Sequence, residues 1–172
     1  DVVVTLASSG TATNGTDYSS LGGSTITIAA GATTGTITGT PTDDSIYEDD
    51  EVATIAISTV SGGSATESGT QSVSITITEN ETAPTITLET STASVAENSG
   101  TTVTLTATAS QVADENIIVT LASTGTATNG SDYSSLGGET ITISAGATTG
   151  TITGTPTDDS IYEDDEVATI AI

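Results

Sequence analysis

The chain has 172 residues and a net charge of −23, from 23 Asp and Glu against no Lys, Arg or His. No side chain can pair with a phosphate, which excludes nucleic-acid binding through a basic groove and a basic attachment to anionic lipid. The absence of His, Lys, Arg and Cys also removes the ordinary general base, activated nucleophile and oxyanion clamp, so the chain reads as a non-enzyme. Without Cys there is neither a disulfide nor a thiolate metal site, a composition compatible with secretion.

In chain order, the first periodic segments are Thr25-Ile26-Thr27-Ile28 and Thr36-Ile37-Thr38. Both alternate polar and β-branched apolar residues with period two, as half-buried strands do. Ser72-Val73-Ser74-Ile75-Thr76-Ile77 repeats the pattern before a short polar linker, Glu79-Asn80-Glu81-Thr82-Ala83, that Pro84 ends. Strands are then expected over 85–89, 93–97, 101–108, 116–122, 139–144, 149–156 and 166–172. Thr102-Val103-Thr104-Leu105-Thr106 shows the period most plainly. Glycines punctuate these runs at Gly22-Gly23, Gly31, Gly62-Gly63, Gly137-Gly138 and Gly146. No stretch has a helical period and no apolar run is long enough to span a bilayer. The pattern predicts an all-β antiparallel sandwich.

Residues 1–57 return as residues 116–172 with 50 of 57 positions identical, a constant offset of 115. The chain thus spans about one and a half periods, and a longer tandem array is expected, with targeting signals outside this stretch. The expected division is 1–81, a module lacking its opening strands, and 82–172, the next module lacking its closing strand. The same polypeptide, continuing at both ends, is the expected source of those strands. The alternative is a filament of subunits that exchange strands. The core is thin, without Phe, Trp or Met. Each copy carries one acidic run, Asp43-Asp44-Ser45-Ile46-Tyr47-Glu48-Asp49-Asp50-Glu51 and Asp158-Asp159-Ser160-Ile161-Tyr162-Glu163-Asp164-Asp165-Glu166. Two carboxylates about 4 Å apart repel by about 1 kcal/mol in water. Six in nine residues, with no basic side chain in the chain, call for a cation from outside.

Four stretches carry a family resemblance: Val95-Ala96-Glu97-Asn98-Ser99-Gly100, Gly125-Thr126-Ala127-Thr128-Asn129-Gly130-Ser131-Asp132-Tyr133, Ile141-Thr142-Ile143-Ser144-Ala145-Gly146-Ala147 and the acidic run 158–166. In order and spacing the chain resembles Calx-beta repeats, calcium-binding modules of sodium–calcium exchangers, integrin-associated proteins and large bacterial surface proteins. The resemblance implies tandem immunoglobulin-like Greek-key sandwiches. It also implies calcium ligands: Glu97, Asp132, Asp158, Asp159, Glu163 and the Ile161 carbonyl in the second module. In the first they are Asp17, Asp43, Asp44, Glu48 and the Ile46 carbonyl, with Glu79 and Glu81 closing the site from the linker. Two departures stand out. Ala53 and Ala168 occupy the place of a large aromatic, and Glu79-Asn80-Glu81 replaces a run of Asp.

Hard oxygen donors of this kind suit Ca²⁺, which takes six to eight of them, whereas Zn²⁺ calls for His or Cys. The acidic run lacks the glycine and alternate-residue spacing of an EF-hand. Other readings stand beside these. Asp49, Asp50, Asp164 and Asp165 fit a solvated face. Asp17 and Asp132 follow Asn-Gly turns, where turn chemistry alone accounts for an Asp. Glu79 and Glu81 also read as linker. Tyr18, Tyr47, Tyr133 and Tyr162 are expected to pack under the loops. Asn14-Gly15-Thr16, Asn80-Glu81-Thr82 and Asn129-Gly130-Ser131 match the glycosylation pattern, which recurs by chance in a chain rich in Ser and Thr.

The function expected is a calcium-rigidified structural repeat, giving length and stiffness to an extracellular stalk, fibre or adhesin on a bacterial cell surface. Its partners would be neighbouring repeats. The alternative is a calcium-sensing regulatory module, which usually pairs modules of unlike affinity; these two copies carry the same candidate ligands.

Overall fold

The computed structural model describes residues 1–19, 21, 24–134, 136 and 139–172. The punctuating pairs Gly22-Gly23 and Gly137-Gly138 lie outside the described residues. The chain divides into two compact units: Asp1–Ser45 with Asp49–Asn80, and Ile46–Glu48 with Glu81–Ile172.

Unit 1 is one antiparallel sheet. Its strands β1 (Val2–Gly10), β2 (Thr25–Ile28), β3 (Glu51–Ser61) and β4 (Ser72–Ile77) lie in the order β2-β1-β3-β4. The register of β1 on β3 shifts between Thr5 and Leu6. There the Leu6 amide turns to the Ser24 carbonyl at 2.9 Å. Period-two alternation puts one row inward. Leu6, Ala53 and Ile55 form a small core with Ala12 and Tyr18, and Ile26, Ile37 and Ile77 pack at its margin.

Unit 2 has two layers. One is the sheet β10-β6-β5, built from β5 (Ile86–Thr90), β6 (Val103–Ala109) and β10 (Thr149–Gly154). The other combines β7 (Ile117–Thr120) paired with β9 (Thr140–Ile143) and β8 (Ala122–Gly125) paired with β11 (Ala168–Ala171). The expected strand over 116–122 is therefore interrupted at Leu121. Leu121 is buried, and its amide donates to the Glu139 carbonyl at 2.9 Å, the same bond that Leu6 makes in unit 1. Between the layers lie Leu105, Ala107, Val119, Leu121, Ile141 and Ile143. Ile141 and Ile143 are fully buried.

Two expected strands do not form. Residues 93–97 are irregular and run into a short 3-10 turn, Glu97–Ser99. Local side-chain bonds compete with a ladder here. The Thr90 hydroxyl donates to the Thr92 carbonyl, and the Thr92 hydroxyl to the Ser94 carbonyl, both at 2.8 Å. The second miss is Thr36–Thr38. The same letters form β10 in unit 2, where Gly154 pairs with Val103 through to Thr149 with Thr108. Unit 1 offers that segment no partner like β6 among the described residues, and it remains irregular.

Candidate metal site

The site in unit 2 is assembled from a turn, the end of a strand and the acidic loop. Asn129-Gly130-Ser131-Asp132 folds as a tight turn. The Asp132 amide donates to the Thr128 carbonyl at 3.0 Å, and the Gly130 amide to the Tyr133 carbonyl at 2.7 Å. Asp132 Oδ2 accepts the Thr128 amide at 2.6 Å. The turn is then tied to the chain leaving β10, because the Thr157 amide donates to the Asp132 carbonyl at 2.9 Å. That is where the acidic loop begins.

The far end of the loop is fixed just as firmly. The Val167 amide donates to the Thr126 hydroxyl at 2.9 Å, and the Val167 carbonyl accepts the Ala127 amide at 3.2 Å. Gly125 makes this approach possible. Its φ is +123°, and a Cβ there would sit 2.0 Å from the Val167 carbonyl oxygen. Only glycine fits.

With both ends pinned, the carboxylate oxygens of Asp132, Glu163 and Glu166 all lie within 4.8 Å of one another. No cation balances them in this chain. Glu163 is held above its ordinary 4.5 by partial desolvation first, then by the Asp132, Asp159 and Glu97 carboxylates. Glu166 is raised by desolvation, by a hydrogen bond with Asp132 and by the charges of Asp132, Glu163 and Glu97. Both glutamates are exposed overall, so crowding of like charge outweighs desolvation here. A divalent cation relieves that crowding, and three hard oxygens converging on one point fit Ca²⁺.

The triad lines a cavity of about 850 Å³, which it shares with Glu97 and Tyr133. The buried Tyr133 hydroxyl has no hydrogen-bond partner among the described residues, an orphaned polar atom in the cavity that the carboxylates line.

The other implied ligands take varied positions. Glu97 Oε1 accepts the Asp159 amide at 3.1 Å, which brings the 3-10 turn to the acidic loop. Asp159 Oδ1 is engaged by the Ile161 amide at 2.6 Å. Asp158, Asp159 and Glu97 stand outside the triad. Ile161 is exposed. In unit 1 the Thr13 amide donates to Asp17 Oδ2 at 2.6 Å, the same turn as at Asp132. The Asp17 and Glu51 carboxylates also come within 4.8 Å. Glu48 lies in the Ile46–Glu48 segment that groups with unit 2.

Asp43 Oδ1 accepts the Asn80 side-chain amide at 3.1 Å, and Asp50 Oδ1 accepts the Glu79 amide at 2.9 Å. The start of the linker thus reaches the acidic run of unit 1 through N–H groups. Asp44 belongs to unit 1, and Glu81 opens the main segment of unit 2. Asp17 and Asp132 hold their turns and also enter a carboxylate cluster, so turn and cluster are not alternatives at these positions.

Two residues escaped sequence reasoning. Glu51 and Glu166 were read only as the last letters of the acidic run. Each directly precedes a valine whose amide is pinned to the turn side, Val52 to the Thr11 hydroxyl and Val167 to the Thr126 hydroxyl, both at 2.9 Å, a contact that the local sequence does not spell out. Tyr162 is a correction. It was expected to pack, like Tyr18 and Tyr133, which are buried, yet it is 89% exposed. Tyr47, in identical local sequence, is half-buried: its amide donates to the Val112 carbonyl at 3.0 Å and its carbonyl accepts the Asp114 amide at 3.1 Å. Tyr162 has no such neighbour among the described residues.

No curated protein matches this chain. The family model described as Calx-beta domain matches residues 1–82 and again 79–172, two successive hits that together span the sequence. With its paired acidic loops, twin Asx turns and antiparallel sheets, the chain belongs to the Calx-beta domain family, as a tandem repeat of that domain.

Proposed function

We propose that each repeat is a calcium-stabilised structural module, and that the chain gives length and stiffness to an extracellular stalk, fibre or adhesin. The observation that carries this reading is the Asp132, Glu163 and Glu166 triad in a chain without one basic side chain. Calx-beta domains are generally calcium-binding, are non-catalytic and occur in extracellular or surface regions of proteins. Among the described residues, no helix is long and apolar enough to cross a membrane.

Asp132, Glu163 and Glu166 would hold the cation, with Glu97 and Asp159 adding negative charge around it. Bound there, Ca²⁺ supplies the positive charge that the loop lacks. The protein's own part is to bring two distant segments together: the Asx turn at Asp132 and the acidic loop that ends at Glu166. Near-identity of the two repeats supports a structural role, because duplication of one unit adds length without adding a new specificity.

The test is calorimetry with calcium and with excess chelator. A ligand bound only to the folded state adds about 2.7 kcal/mol at 100 times its dissociation constant. For units of this size that corresponds to a rise in Tm of about 10 °C or more. An unchanged melting curve would sink the reading.

A further inference from the structure

The chain has five asparagines, and only Asn14 and Asn129 are followed by glycine. Asn80, Asn98 and Asn116 precede Glu81, Ser99 and Ile117. The turn itself imposes the glycine. Gly15 and Gly130 have φ of +94° and +91°, in the left-handed region, while a Cβ at either would meet nothing within 4 Å. Glycine is therefore there for its backbone and not for want of space. In both copies the turn thus sets an amide side chain directly before a peptide nitrogen that no side chain shields. Asn14 and Asn129 are exposed, so water reaches the pair.

That pairing carries a reaction. The Gly130 nitrogen, on losing its proton, attacks Asn129 Cγ. A C–N bond forms, the Cγ–Nδ2 bond breaks and ammonia leaves, giving a cyclic imide. Water then opens the imide. Opening at Cγ gives Asp at 129, and opening at the backbone carbonyl gives an isoaspartyl link that runs through the former side chain. The sum is amide plus water to acid plus ammonia, with no oxidation or reduction. In the closed turn the nucleophile is tied. The Gly130 amide donates to the Tyr133 carbonyl and the Gly15 amide to the Tyr18 carbonyl, each at 2.7 Å. Asp132 Oδ2 accepts the Thr128 amide and Asp17 Oδ2 the Thr13 amide, each at 2.6 Å. The Asp132 and Asp17 carbonyls accept the Thr157 and Thr42 amides at 2.9 Å. The attacking nitrogen must give up its proton and swing onto Cγ, so these bonds have to open first.

We infer that Asn14 and Asn129 are self-modification sites, with water as the second reactant, that the closed turn holds unreactive and an open turn releases. The product at 129 puts a new carboxylate just before Asp132 in the same turn, in a chain without a basic side chain. The isoaspartyl product adds an atom to the main chain inside the span that the Thr128–Asp132 bonds close. That breaks the register of the turn that carries Asp132 to the triad. The change is one-way, and it falls at the same place in both repeats. Its coupling to calcium rests on the function proposed above, since a cation held by Asp132 also holds the turn closed. The gating by the turn does not rest on it.

The chain is incubated at mildly alkaline pH with calcium, with chelator, and with chelator in denaturing guanidinium, and fragment-ion mass spectrometry follows each asparagine. In denaturant, conversion is expected at Asn14 and Asn129, and far less at Asn116, whose β-branched neighbour Ile117 obstructs the attack. In the folded chain both sites should convert at least about tenfold more slowly, the factor that about 1.4 kcal/mol of local closure gives. Equal rates in the folded and unfolded chain overturn the gate. Conversion at Asn116 as fast as at Asn129 in denaturant, or none at Asn14 and Asn129, overturns the assignment. Asn129→Gln should end conversion at 129 and leave Asn14 unchanged, because the longer side chain must close a larger ring. Asn129→Asp supplies one product and the aged chain the isoaspartyl one. The aged chain should bind calcium more weakly than fresh chain, and Asn129→Asp at least as tightly. Equal binding by fresh and aged chains overturns the consequence for the triad. A folded-state rate that is the same in calcium and chelator overturns the coupling to the cation. The gap between folded and unfolded rates is read without calcium, so failure of the calcium reading and failure of the gate are told apart.

Discussion

Glu163 and Glu166 set the acid–base behaviour of the site. Both are raised above 4.5 in the folded chain. The folded state therefore holds protons that the unfolded state has released over the window between 4.5 and the raised values. In that window the contribution of these groups to stability falls as pH rises and returns as pH falls. For the calcium-free chain, acidification into that window should thus relieve the site rather than weaken it. A bound cation reverses the sign, because calcium favours the ionised carboxylates and protons compete with it. Paired urea titrations across that range, with calcium and with chelator, should converge as pH falls. Glu166→Gln separates the two roles of one side chain. It should leave the chelated chain as stable or more stable, while weakening calcium binding by about 10- to 100-fold, the loss typical even of groups behind the ligands. Isothermal titration reads the second effect and chemical denaturation the first.

At the scale of the element, strand pairing decides how much a residue is worth. Ile141 and Ile26 occupy the same repeat position on β9 and β2. Ile141 is fully buried between two layers, and Ile26 is half-buried at the margin of a single sheet. Ile141→Ala should cost about 2–5 kcal/mol, the usual range for a buried Ile, and Ile26→Ala clearly less. Hydrogen exchange of β9 and β2 assigns each loss to its own unit. The β8–β11 junction gives a second case. Gly125→Ala places a Cβ against the Val167 carbonyl in a left-handed backbone. The backbone term alone is about 1–3 kcal/mol. Since Val167 follows Glu166, the substitution should also weaken calcium binding, although residue 125 carries no ligand atom. Calcium affinity equal to that of the parent chain would show that the junction does not position the triad.

For the whole molecule, the dominant quantity is −23 with no internal counter-charge. Self-repulsion of this kind destabilises the compact state and is screened by salt. The Tm of the chelated chain should rise steadily with NaCl. The calcium-loaded chain should respond less, because its most crowded carboxylates are already neutralised. Scanning calorimetry over a salt series checks this, and parallel slopes for the two forms would mean that the triad contributes little to the repulsion.

The sequence by itself determined the all-β class, the 115-residue repeat and the family, because period-two alternation, glycine punctuation and the spacing of the acidic runs are local patterns. It also marked Asp132 and Glu163 as candidate ligands, two of the three carboxylates that the fold brings within 4.8 Å of one another. Pairing was beyond it. Thr34–Gly39 and Thr149–Gly154 have the same letters, yet only the second is a strand, because only it has β6 beside it. Tyr47 and Tyr162 share their local sequence and differ in burial for the same reason. Glu166 joins the triad through the close approach that Gly125 permits to Val167, a contact between residues 42 positions apart that no local pattern encodes. A strand's backbone bonds and half of its burial come from a neighbour distant in sequence. Identical segments therefore adopt different structures wherever the tertiary fold supplies that neighbour to one and not to the other.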